Sequence, residues 1–90
     1  MAIVFDPKKS AKNLAERGIS FELASEIDWN TARLIVDDRK EYGETRVQVW
    51  AAIEGRLYCI VVTPRGEDLR VISLRKANRK EVKRYDEEDH

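Results

Sequence analysis

From Val47 to Arg75 the chain holds three apolar runs separated by two short glycine-bearing turns. Val47, Val49, Ala51 and Ile53 alternate with Gln48, Trp50 and Ala52, which predicts a half-buried strand. Glu54-Gly55 then supplies a two-residue hairpin turn, with glycine taking the positive φ such turns want. Leu57 to Thr63 is apolar on both parities and reads as a central strand. Pro64-Arg65-Gly66-Glu67 gives a second turn, and Leu69 to Arg75 completes a three-stranded antiparallel meander.

The flanks read differently. Ile3-Val4-Phe5 is a short apolar strand, and Asp6-Pro7 opens a helix, Asp as N-cap and Pro at the first helical position. Ala11, Leu14 and Ala15 recur at helical spacing, and Gly18 is placed to end the helix. Ser20 caps a second short helix with Phe21, Ala24 and Ile27 on its apolar face. Leu34-Ile35-Val36 predicts a short strand, and Asp37 to Glu44 a polar loop. Asn78 caps a last helix through Arg84 or Tyr85, leaving 86–90 as a frayed acidic tail. The expected fold is a single α+β domain over residues 1–90. An N-terminal helical hairpin packs on one face of a small antiparallel sheet, with a short C-terminal helix.

Charge is balanced in total, 17 basic against 17 acidic residues, but not in place. Between Arg65 and Arg84 stand Arg65, Arg70, Arg75, Lys76, Arg79, Lys80, Lys83 and Arg84, opposed only by Glu67, Asp68 and Glu81. Such a block attracts a polyanion, with RNA or DNA the obvious candidates. The single cysteine, Cys59, excludes a disulfide framework and sits in an apolar run as an inert core thiol would. No apolar run approaches the ~18 residues of a membrane span, and no secretory signal opens the chain, so a soluble cytoplasmic protein is expected.

Most catalytic classes lack their parts. The one histidine, His90, is terminal and follows four acids, so neither a Ser-His nor a Cys-His pair is present. There is no metal-ligand spacing, no glycine-rich phosphate loop and no implied cofactor. Asp37-Asp38 reads better as a solvated turn, or an ion pair with Arg39, than as a metal site. Cleavage of RNA needs none of these parts. The substrate's 2′-hydroxyl is the nucleophile, Arg and Lys can stabilise the phosphorane, and Tyr, Glu or Lys can move protons. The available set is Arg70, Arg75, Lys76, Arg79, Lys80, Glu81, Lys83 and Tyr85. Structural readings stand beside it. Asn78 to Glu81 fits a capping box, Tyr85 can close a core edge with Val82, and Lys80, Lys83 and Arg84 can be a solvated face. Arg75 emerges where the third strand meets the helix start, next to anion-binding amides.

Four segments in order resemble the BrnT family of type II toxins. Phe5-Asp6-Pro7-Lys8-Lys9 with Asn13-Leu14 resembles the family's opening F-x-W-D-P-x-K-x-x-x-N-x-x-K-H-G, and Gly18 to Glu22 with Ala24 continues it. Asp37-Asp38-Arg39, Tyr42-Gly43-Glu44 and Arg46 resemble its D-D-R-x-x-Y-G-E-x-R loop. Arg70 to Ala77, Glu81 and Tyr85 resemble its R-I-I-S-A-R-x-A-x-x-x-E-x-x-x-Y ending. The resemblance implies a RelE-like fold and a ribonuclease, metal-independent by the argument above, that arrests translation when free. It also implies a BrnA-like ribbon–helix–helix antitoxin that neutralises the toxin and carries it to operator DNA. By position it implies catalytic roles for Arg75, Glu81, Tyr85 and Arg46. Arg17, Arg70, Lys76, Arg79, Lys80 and Lys83 are the expected RNA contacts. Two positions depart from the pattern. Arg17 replaces a histidine, and a guanidinium holds a phosphate but does not deprotonate. Leu23 replaces a glutamate, which removes a capping box.

Two other classes compete with this reading. One is a non-catalytic inhibitor of a protein target, as in ParE-like relatives, and the other is an idle co-repressor partner of the antitoxin. A pure binder does not need the Arg75, Glu81 and Tyr85 set.

Overall fold

The computed structural model describes residues 1–38 and 41–88; Arg39 and Lys40 of the polar loop and Asp89 and His90 of the tail lie outside it. The elements are β1 (Ile3–Val4), α1 (Pro7–Arg17), a 3-10 helix (Phe21–Glu26), β2 (Ile27–Val36), β3 (Val47–Ile53), β4 (Arg56–Arg65), β5 (Asp68–Lys76) and α2 (Arg79–Glu88). The strands form one five-stranded sheet in the order β1-β5-β4-β3-β2. The expected helical hairpin on a small antiparallel sheet is thereby corrected to a mixed sheet with helices toward the chain ends. β1 runs parallel to β5, Ile3 opposite Leu69 and Val4 opposite Arg70, while the other pairs are antiparallel.

The second expected helix is only a six-residue 3-10 segment. Ser20 caps it as expected, accepting from Glu22 N at 3.1 Å, and Phe21 and Ala24 are buried. Ile27, read as its last apolar residue, instead begins a ten-residue strand. Its end is the strand expected at Leu34-Ile35-Val36, while its first part is masked in the sequence by a polar interruption. Asp28 Oδ1 accepts from Asn30 N, Thr31 donates to Asp28 O, and the β2–β3 register slips between Asp28 and Arg33. Thr31 Oγ1 then accepts Ala52 N at 2.8 Å and keeps the ladder satisfied across the irregularity. A stretch rich in turn-forming side chains lost its alternation but kept its pairing.

The meander forms as the sequence predicts. Glu54 and Gly55 have φ of 51° and 78°, both left-handed, as a tight hairpin between β3 and β4 demands. The second turn is tighter than expected, with Pro64 and Arg65 still paired to Leu69 and Asp68. Pro64 lies past the last β3 pair, Val47 with Val62, so its missing N–H breaks no bond to β3.

One sheet face is the core. Val49, Ile60 and Leu74 stand side by side across β3, β4 and β5 and are essentially inaccessible, each contributing about 1.5–3 kcal/mol by burial. Ile19, Phe21, Ala24 and Ile27 cover them, and Phe5 meets Phe21 edge-on at 6.0 Å.

α1 begins and ends as expected, with Asp6 accepting from Lys8 N at 2.9 Å and Gly18 at φ 72°. Its buried side is not the apolar one. Ala11, Leu14 and Ala15 are exposed, while Ser10 and Asn13 are buried. Asn13 Nδ2 donates to Ile19 O at 2.8 Å and Leu74 O at 2.9 Å, and Ser10 Oγ accepts Phe21 N at 2.9 Å. α1 lies along β5, whose pairing with β1 covers only Leu69 and Arg70. There backbone groups, not methyls, need partners. Asn13→Ala is expected to cost roughly 2 kcal/mol, since both buried carbonyls lose their donor. The thermal midpoint should fall by about 8–16 °C. A shift of under about 2 °C in a melting experiment would show that water replaces the amide.

α2 buries none of its residues. Its start is fixed by a reciprocal capping box, Asn78 N to Glu81 Oε1 and Glu81 N to Asn78 Oδ1, both 2.8 Å. It runs to Glu88, past the expected end, with Arg84 and Glu88 paired at 3.0 Å.

Candidate active site

Because one sheet face carries the core, the opposite face is left for chemistry. Strand register lines up Arg33, Trp50, Cys59 and Arg75 as one cross-strand row on β2, β3, β4 and β5. At about 4.8 Å between strands, Trp50 and Arg75 stand about 10 Å apart. The next row is Ile35, Gln48, Val61 and Ser73. α2 spans this face near its end, tied at its start by Ala77 N to Leu57 O and farther on by Tyr85 to Thr31 O.

The capping box places Glu81 over the row. Arg75 Nη1 and Nη2 donate to Glu81 Oε1 and Oε2 at 2.7 and 2.8 Å, a two-pronged ion pair. Glu81 thus holds the helix start and the guanidinium with one carboxylate. The Arg75 hydrogen bonds, with help from Asn78 N against the cost of burial, hold the Glu81 carboxyl down at about 2. Cys59 lies opposite Arg75 in the register, close enough to Glu81 to feel its carboxylate. Burial pushes its thiol up to about 11, so it is neither thiolate nor nucleophile at neutral pH.

Beside Arg75 opens a cavity of about 100 Å3, lined by Gln48, Cys59, Ile60, Val61, Ser73 and Arg75. Its polar side chains are a guanidinium, a hydroxyl, an amide and a neutral thiol. That set suits an anion. Among the described residues no three of His, Cys, Asp or Glu converge as metal ligands.

The structure sorts the residues singled out from the sequence. Arg75 and Glu81 meet. Tyr85, one helical turn on, has its hydroxyl on Thr31 O at 2.5 Å and its ring under the Arg33 guanidinium at 4.7 Å. It fastens α2 to β2, with Trp50 lying between Arg33 and Cys59 in the row. Arg46 is elsewhere, four residues or about 13 Å along the chain from Trp50. It stacks on Tyr42 at 4.0 Å and pairs with Glu44 at 3.4 Å. Arg70 lies opposite Thr63, toward the far end of the face. Lys76 lines a groove with Gly18, Ser20 and Tyr58, away from the Arg75 cavity. Arg79 and Lys83 line another with Arg56, Asp86 and Glu87, Lys83 lying 3.9 Å from Glu87, and Lys80 is exposed on α2. Arg17, in the last turn of α1, lines a separate groove that has only Ser73 in common with the Arg75 cavity.

Arg33 and Cys59 escaped the sequence reading as site residues. Arg33 follows the interrupted part of β2, where no strand was legible. Cys59 looked like core because both parities of its run are apolar; only the register with Trp50 and Arg75 puts it on this face.

The open sheet face thus presents a clamped arginine at a cavity large enough for a small anion. Residues 5–81 match the family model described as the ribonuclease toxin, BrnT, of type II toxin–antitoxin systems. The chain belongs to this family, whose members are ribonuclease toxins and imply an RNA target and an antitoxin partner. No curated protein matches the chain. No helix among the described residues is long and apolar enough to cross a membrane.

Proposed function

We propose that this toxin is a metal-independent endoribonuclease that arrests translation in the cytoplasm when free. Arg75, clamped by Glu81 at the mouth of the 100 Å3 cavity, carries the reading. The scissile phosphate sits at that cavity. The 2′-oxygen attacks phosphorus in line, the P–O5′ bond breaks, and the products are a 2′,3′-cyclic phosphate and a 5′-hydroxyl. The 2′ proton passes to solvent water and water returns one to the 5′ oxygen, so the step balances without a side-chain base or acid. Arg75 stabilises the charge that builds on the phosphorane, and its fixed geometry removes reorganisation from the barrier. Glu81 is the positioning residue: a carboxyl held at about 2 and saturated with donors is a weak base and no acid at neutral pH. Tyr85 keeps α2, and with it Glu81, in place. Arg17 and Arg70 contact flanking phosphates, Arg46 holds the Tyr42 loop, and Lys76, Arg79, Lys80 and Lys83 contribute a general attraction.

The partner in this reading is a BrnA-like ribbon–helix–helix antitoxin, and operator DNA is met only through the complex. An antitoxin segment seated across Arg75 neutralises the charge and excludes RNA in one contact. The test of the activity is direct. Purified toxin freed of its antitoxin, in excess EDTA, is expected to cleave single-stranded RNA, leaving cyclic phosphate ends detectable by mass spectrometry. Loss of all cleavage on chelation, restored by a divalent ion, would overturn the mechanism.

A further inference from the structure

We infer that α1 carries a second RNA subsite, in which Lys9, Lys12 and Arg17 bind backbone phosphates of the strand leading away from the Arg75 cavity. The inference deepens the ribonuclease reading and rests on it. A groove of about 260 Å3 runs between α1 and β5, with Lys9, Lys12, Glu16 and Arg17 on one side and Ile72 and Ser73 on the other. Ser73 also lines the cavity beside Arg75, so the two spaces share one lining residue. A single strand bound at Arg75 and leaving over Ser73 enters the groove directly.

The helix is held for the purpose. Lys9, Asn13 and Arg17 fall at four-residue intervals, on one stripe of α1. Asn13, at the middle of that stripe, is buried and bonded to Ile19 O and Leu74 O, which fixes the helix against the β5 edge. Lys9 and Arg17 therefore flank the anchor one turn to either side, about 12 Å apart along the axis. Glu16 is the one acid lining the groove against three cations. A positive groove that tracks a backbone is how proteins hold single strands without reading sequence.

The test measures salt dependence with two uncleavable probes, a 12-nucleotide and a 3-nucleotide single-stranded RNA, both fully 2′-O-methylated. The double variant Lys9→Gln/Lys12→Gln keeps side-chain length and removes two charges. Its log K against log salt slope on the 12-mer is expected to be shallower by about 1.4, two contacts at about 0.7 each. The ratio of 12-mer to 3-mer affinity falls with it. Lys8→Gln, exposed on α1 but outside the groove, keeps the wild-type slope. An unchanged slope in the double variant, or an equal loss on both probes, overturns the subsite. Should wild type cleave RNA while the slope stays unchanged, only the subsite fails. Should wild type neither bind nor cleave RNA, the ribonuclease reading fails with it.

Discussion

Arg75→Ala is expected to lower the rate of RNA cleavage by about 10²–10³, with growth arrest lost at matched expression. The size follows from the analogy with an oxyanion-hole donor: one preorganised contact to the charge that appears in the transition state is typically worth about 2.7–4 kcal/mol. Arg75 has the preorganisation, since both terminal nitrogens are already fixed on Glu81 at 2.7 and 2.8 Å. Arg75→Lys should recover only a small part of the rate, because an ammonium cannot span both carboxylate oxygens. Lys83→Ala is the contrasting control. The Lys83 side chain is 80% exposed and pairs with Glu87 at 3.9 Å, so its loss should change the rate by less than about threefold, within the range of a screened surface charge. Circular dichroism of each variant separates lost chemistry from lost fold. Equal cleavage by wild type and Arg75→Ala would move the reacting phosphate away from this cavity.

The parts of the fold that could be read from the sequence are those where local pattern and tertiary demand agree. The Glu54-Gly55 hairpin, the Asp6 and Ser20 caps and the Asn78–Glu81 box are short-range devices, and each sits where its residues place it. The end of β2 was legible at Leu34-Ile35-Val36, but its first half was not, because there the backbone is satisfied through Asp28 and Thr31 side chains rather than through alternation. The parallel β1–β5 pair depends on contacts between residues 66 apart, such as Ile3 and Leu69, which no local window contains. α1 misled in another way. Its methyl stripe pointed outward because the neighbouring strand edge demanded hydrogen bonds, and Asn13 and Ser10 meet that demand.

The site divides along the same line. Arg75 and Glu81 are six residues apart, and the capping box that links them is a local motif, so their meeting was open to inference. Arg46 and Tyr85 came with the family pattern, yet the fold spreads them apart. Arg46 is engaged with Tyr42 and Glu44, and Tyr85 with Thr31 and Arg33. Position in a sequence pattern marks residues the family keeps in order, and register decides which of them face one substrate. The groove on α1 is the converse case: Lys9 and Lys12 belong to a basic stretch of sequence that carries no contact pattern of its own, and the Asn13 anchor is what places them on the groove that Ser73 also lines.

Glu81→Gln should separate a positioning role from a proton carrier. The amide can still accept Asn78 N and one Arg75 donor, but it offers a single acceptor oxygen and no charge, so the fork opens. Activity is expected to fall by about 10- to 100-fold, less than for Arg75→Ala, by the same amount at every pH from 5 to 8. The reason for parallel profiles is the carboxyl at about 2, which is ionised throughout that range in the wild type. Stability provides the second readout. The folded carboxyl lies below its ordinary 4.5, so its contribution is fully present above about pH 4.5 and is lost as pH falls through about 2. Wild type should exceed Glu81→Gln by roughly 2 kcal/mol at pH 7, the scale of a hydrogen bond to a charged group, and the gap should close between pH 4.5 and 2. Urea titrations at three pH values measure it. An acid limb in the wild-type rate profile near pH 5–7 that vanishes in Glu81→Gln would make Glu81 the proton acceptor. The Arg75 fork would then have to open before each turnover.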